Sequence, residues 1–101
     1  MQATPGVQAS VVLRERREAV LDAVRRCRGW RVRVFGSVAR GEDGPDSDID
    51  LLVDFEADSS LFDLLHLTQL LEELLGRSVD VVSTGGLKDR DRTIRAEAVD
   101  L

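Results

Sequence analysis

The chain has 101 residues, enough for one compact domain and too few for a second substrate-binding domain of ordinary size. Hydrophobic residues at 43% and charged residues at 33% exclude a disordered chain and fit a folded one. A net charge of −5 argues against direct nucleic-acid binding, and the single cysteine, Cys27, excludes an internal disulfide or a thiolate zinc cluster. Along the chain, Pro5 and Gly6 sit in a stretch without periodicity, so residues 1–9 are expected to be a loose arm and residues 10–101 one domain. No apolar run exceeds three residues and no basic flank precedes a hydrophobic stretch, so no membrane span or export signal is expected and the default location is the cytoplasm.

From Ser10 to Arg28, Leu13, Val20, Val24 and Cys27 recur at helical spacing, which predicts one amphipathic helix ending at Gly29. Trp30 to Phe35 alternates with period two and predicts a half-buried strand with Trp30, Val32 and Val34 on one face. Gly36 to Arg40 predicts a turn of helix ended by Gly41, and Asp48 to Phe55 a central strand around Leu51, Leu52 and Val53. Ser60 and Asp63 form a capping-box pattern ahead of a leucine-rich helix that stops at Gly76, with an apolar face wider than one buried stripe requires. Val79 to Val82 predicts a third strand, and Leu87 to Leu101 a last helix. The fold class is therefore α/β (α+β), a small mixed sheet flanked by helices.

The chemistry is concentrated in residues 36–53, where Gly36-Ser37 is followed after ten residues by Asp48-Ile49-Asp50. Alternate strand residues share a face, so Asp48 and Asp50 point the same way, roughly 6.5–7 Å apart along the backbone. Two carboxylates on one face of so apolar a strand repel and lose hydration, a conflict that a hard divalent cation removes; magnesium suits oxygen donors and commonly binds through one or two carboxylates plus phosphates. Of two candidates for a third carboxylate, Asp54 lies about 13 Å beyond Asp50 at ~3.3 Å per residue, whereas a neighbouring strand can set Asp80 directly beside the pair. Asp80 is the choice. The three aspartates are then expected to hold two magnesium ions, with Asp80 the candidate general base of an in-line displacement. Gly36 lets phosphate oxygens approach closely, Ser37 adds a donor, and Arg40 either neutralises phosphate or pairs with Glu42. His66 has no companion ligand and is expected to be structural, as Trp30 and the phenylalanines are expected to be core. Arg90, Arg92 and Arg95 are expected on a solvated helix face.

The pattern Gly-Ser, ten residues, Asp-x-Asp resembles the nucleotidyltransferase superfamily with the polymerase beta-like fold, matched by Gly36, Ser37, Asp48 and Asp50, with Asp80 at the place of the third carboxylate. The wording GSVARGE, SDIDLLV and IRAEAVDL is most similar to the minimal nucleotidyltransferases of toxin–antitoxin pairs. The resemblance implies a cytoplasmic antitoxin that transfers AMP from ATP to a tyrosine of a HEPN-domain ribonuclease toxin, and so a hetero-oligomer with that partner. Two other functions stand beside it: a non-catalytic antitoxin acting by binding, and a small-molecule nucleotidyltransferase similar to the aminoglycoside-modifying enzymes. The chain contains no tyrosine, so it cannot be its own tyrosine acceptor.

Overall fold

The computed structural model describes residues 8–86 and 92–101. In chain order it has α1 (Ala9–Glu15), α2 (Arg17–Arg26), β1 (Gly29–Phe35), α3 (Gly36–Arg40), β2 (Ile49–Phe55), α4 (Leu61–Leu75), β3 (Val79–Ser83), a 3₁₀ turn (Thr84–Gly86), α5 (Arg92–Glu97) and β4 (Val99–Asp100). The four strands form one mixed sheet in the order β3-β2-β1-β4. β1 runs antiparallel to both β2 and β4, while β2 and β3 are parallel. A parallel pair needs a crossover, and α4 supplies it.

β2 is central, as its apolar middle predicts: Ile49, Leu51, Leu52 and Val53 are fully buried. Ile49, Leu51 and Val53 meet Val20 and Val24 of α2, Leu67, Leu71 and Leu75 of α4, and Val32 and Val34 of β1 in the main core. Alternation along β2 therefore sends Asp50, Leu52 and Asp54 to the opposite face. α4 begins at Ser60, whose N–H donates to the Asp63 carboxylate at 2.9 Å, and ends at Gly76 in the left-handed conformation, φ 67°.

Three expectations need correction. The helix foreseen over 10–28 is two helices that part at Arg16, φ −103° and ψ 13°. Between Leu13 and Val20 no apolar side chain anchors the chain to the core, so the two buried stripes are free to take different directions. Trp30 is not core but 64% exposed, and Phe62, also expected in the core, is 81% exposed. The β1–β2 register jumps between Gly29 and Arg31, and this bulge takes Trp30 off the face it would share with Val32 and Val34. The helix foreseen over 87–101 holds for Arg92–Glu97, but its end is β4, which pairs with β1 through Arg33 and Val34. Sheet-edge hydrogen bonding overrides local helical spacing there.

The loose arm expected at the start falls outside the described residues at 1–7, but Ala9 already belongs to α1 and is fully buried. Residues 87–91, including Arg90, also lie outside the description. Among the described residues, no helix is long and apolar enough to cross a membrane.

Candidate active site

The site lies where β1 ends and β2 begins. The parallel register of β2 and β3 makes Asp80 the partner of Asp50, and the antiparallel register of β1 and β2 sets Phe35 opposite Asp50 on its other side. Adjacent strands are ~4.8 Å apart, so two acids meet at one rung of the ladder with a third, Asp48, two residues before Asp50. Asp48 and Asp80 are exposed and Asp50 is half-buried. Burial and then the carboxylates of Asp80 and Asp48 push the Asp50 carboxyl above its ordinary range, with Glu97 adding to the push and Arg40 opposing it. The chain thus concentrates negative charge at one point of its sheet without cancelling it.

The approach to β2 is held in place from several sides. Asp43 accepts a hydrogen bond from the Ser10 N–H at 2.8 Å, Ser47 Oγ accepts one from the Gly44 N–H at 2.8 Å, and the Ile49 N–H donates to the Ser78 carbonyl at 3.1 Å. Arg77 donates to the carbonyls of Pro45 and Ser47, each at 3.3 Å. Asp48 is therefore delivered by a loop with its own tethers rather than by strand pairing alone.

Gly36 turns the chain from β1 into α3 with φ +73°, a conformation that only glycine adopts readily. A Cβ at this position would lie 3.0 Å from Asp50 Cγ and closer still to Oδ2, so the glycine is needed for the carboxylate as well as for the turn. Ser37 follows on the first turn, half-buried, and α3 ends at Gly41 with φ 72°, as the sequence predicts. Arg40 donates to Glu42 at 2.6 Å and to both oxygens of Glu97 at 3.2 Å. These two partners raise its pKa further, the hydrogen bond to Glu42 contributing most.

Asp54, the rejected candidate for a third carboxylate, is buried and engages Arg33 Nη2 at 3.5 Å, with side chains 11% and 15% exposed. Its charge belongs to that pair and not to the cluster at the head of β2. His66 is exposed on α4 and stands 3.9 Å from the buried Cys27 sulfur, remote in sequence from every acid of the site. Arg92 and Arg95 are exposed, and Arg95 donates to the Thr84 carbonyl at 3.3 Å. Sequence reasoning missed Glu97. Nothing local distinguishes it from other acids of an amphipathic helix, and only the packing of α5 beside α3 brings it to Gly36 and Arg40.

The family model for the nucleotidyltransferase domain matches residues 13–99. The chain belongs to the nucleotidyltransferase domain family. A relative in Methanocaldococcus jannaschii, provisionally named a protein adenylyltransferase, is 48% identical over 70% of this chain and 77% of its own length. Protein adenylyltransferase MntA of Thermococcus cleftensis is 51% identical over 56% of this chain, which spans 58% of that protein. A solved structure provisionally named a minimal nucleotidyltransferase superposes with a TM-score of 0.81 at 52% identity, covering 91% of this chain and 95% of that one. A toxin–antitoxin crystal structure with AMP-PNP has a TM-score of 0.71 at 20% identity, covering 82% of this chain and 69% of that one, a likeness of fold alone. The nucleotidyltransferase therefore has the mixed α/β architecture expected from its sequence, with four strands where three were foreseen.

Proposed function

We propose that this nucleotidyltransferase is an antitoxin that transfers AMP from ATP to a tyrosine hydroxyl of a HEPN ribonuclease toxin, and that Asp48, Asp50 and Asp80 are its catalytic and metal-binding residues. The observation that carries the reading is the Asp50–Asp80 rung beside Asp48, where burial and then two neighbouring carboxylates raise the Asp50 carboxyl against the opposing charge of Arg40. The relatives named protein adenylyltransferases support both the reaction type and a protein acceptor.

The donor set fits magnesium. The aspartate carboxylate oxygens are the donors magnesium prefers, and the strand register sets Asp50 beside Asp80; among the described residues no group of three or more such side chains is arranged to hold a metal ion as it stands, so binding one requires the side chains to move. Burial and then the Asp80 and Asp48 carboxylates raise the Asp50 carboxyl, and a bound cation would favour its charged form. Asp48, Asp50 and Asp80 would hold magnesium together with the triphosphate, and the ion would supply charge neutralisation for the transfer.

The remaining work falls to the chain. Gly36, Ser37 and Arg40 bind the terminal phosphates, through an amide N–H, a hydroxyl and a guanidinium. The acceptor oxygen forms a bond to the α-phosphorus, the bond from that phosphorus to the bridging oxygen breaks, and pyrophosphate leaves. Asp80, exposed at the edge strand β3, accepts the proton of the acceptor hydroxyl. An edge position leaves room for a side chain presented by another protein.

Incubating the chain with labelled ATP, magnesium and a HEPN-domain ribonuclease tests the proposal. Label on a tyrosine of that protein is the expected result, and intact chains that transfer nothing would sink the reading. Neutralisation of the toxin by a variant with both Asp48→Ala and Asp50→Ala would show a blocker rather than an enzyme.

A further inference from the structure

Glu97 ends α5, a helix of six residues none of which is buried, yet its carboxylate is only 23% exposed. Its Oε1 accepts a hydrogen bond from the Gly36 N–H at 2.8 Å, and both of its oxygens accept from Arg40 Nη1 at 3.2 Å. The backbone amide of the turn and the guanidinium beside it are thus satisfied by an anion of the chain's own. It is an electrostatically odd place for an acid, because Glu97 adds to the repulsion already acting on Asp50. Charge-assisted hydrogen bonds hold its carboxylate there, and a phosphate group offers the same acceptors with more charge.

We propose that Glu97 is an internal stand-in for a terminal phosphate: it occupies Gly36 and Arg40 in the nucleotide-free chain and must withdraw when a nucleoside triphosphate binds. The inference rests on the reading that Gly36 and Arg40 serve the nucleotide. Withdrawal needs only the Glu97 side chain to swing away from Gly36 and Arg40, with β4 still paired to β1, and α5 has no buried residue to extract. A competitor that holds most molecules in the closed arrangement weakens apparent affinity by the fraction left open. It also discriminates among ligands: a nucleoside monophosphate lacks the groups that would take Glu97's place, so it neither expels Glu97 nor gains from its loss.

Calorimetric titration with ATP and with AMP, each with magnesium chloride, distinguishes the possibilities. Glu97→Gln keeps the shape and removes the charge, and it is expected to lower the ATP Kd about five- to tenfold while leaving the AMP Kd within about twofold. Glu97→Ala is expected to behave alike. An ATP Kd that is unchanged or raised in both variants, or an equal gain for AMP, would overturn the stand-in while leaving the nucleotide site intact. Folded wild-type chain that binds no ATP would instead overturn the nucleotide reading and the stand-in with it. A measurement on the unaltered chain guards against variants that fail to fold. The carbon-13 resonance of the Glu97 carboxylate is expected to move on addition of magnesium ATP and to stay in place with AMP; a resonance indifferent to ATP would count against the proposal.

Discussion

The Asp50 carboxylate fills the space that a side chain on residue 36 would need, so Gly36 and Asp50 are a matched pair across β1 and β2. The glycine has two independent reasons to be there, its φ of +73° and this close approach. Gly36→Ala is accordingly expected to lower unfolding free energy by about 1–3 kcal/mol, as left-handed strain alone costs on that order. Because the new methyl displaces Asp50, nucleotidyl transfer should fall by more than the loss of folded chain explains. Denaturant midpoints and transfer rates on the same preparations check both statements, and a variant equal to wild type in both would refute them.

Asp50 also makes stability depend on pH in a defined direction. Its folded pKa lies above the unfolded value, so the native state binds the proton more tightly than the unfolded chain does. The contribution of this group is therefore fully present below the unfolded pKa, about 3.9, and is lost as pH rises through the folded pKa. In the absence of divalent metal, Asp50→Asn is expected to melt at a higher temperature than wild type at pH 7, and this advantage should shrink toward pH 4. Transfer by Asp50→Asn should drop by about 10³-fold or more. Thermal melts across pH would contradict the argument if the variant were the less stable protein at neutral pH.

The two isolated strand aspartates should separate cleanly. Asp54 is buried against Arg33, and removing one partner of a buried pair costs about 3 kcal/mol, so Asp54→Asn should be markedly less stable yet transfer normally per folded molecule. Asp80 is exposed, so Asp80→Asn should stay within about 0.5 kcal/mol of wild type while losing transfer. The opposite assignment, activity lost with Asp54 and kept without Asp80, would move the third carboxylate.

Magnesium should act on stability as well as on rate. Chelation with EDTA is expected to abolish transfer, and millimolar magnesium to raise the melting temperature of wild type but not of Asp50→Asn, because a ligand stabilises only the state that binds it. Equal shifts in both chains would point to a general salt effect.

Trp30 is the only tryptophan and stands 64% exposed at the β1 bulge. Its fluorescence should be readily quenched by acrylamide in the native state, and Trp30→Ala should change stability by about 0.5 kcal/mol or less. A shielded indole would mean that it is covered in solution.

Much of this could be read from residues 36–83 alone. Gly41 and Gly76 ended their helices where expected, Ser60 and Asp63 capped α4, and Leu51 to Val53 marked the central strand, because each of these signals is local. Asp80 stands out in the sequence as a lone acid in an apolar strand, and the strand register sets it beside Asp50. The failures lie where a distant partner decides. Trp30 departs from the expected alternation because a bulge is a property of two strands, and residues 99–101 leave the expected helix because the β1 edge that recruits them is some 65 residues away.

Sequence by itself determined which groups are available: a glycine free to take positive φ, two acids spaced two apart at the head of an apolar strand, and no tyrosine to accept a nucleotide. These follow from side-chain chemistry and short-range spacing, which are complete in the covalent chain. Only the tertiary structure decided how the groups meet. Parallel pairing put Asp80 beside Asp50, burial consigned Asp54 to Arg33, and the return of α5 carried Glu97 onto Gly36 and Arg40. Each of those contacts joins residues between 21 and 61 positions apart, across which periodicity carries no information.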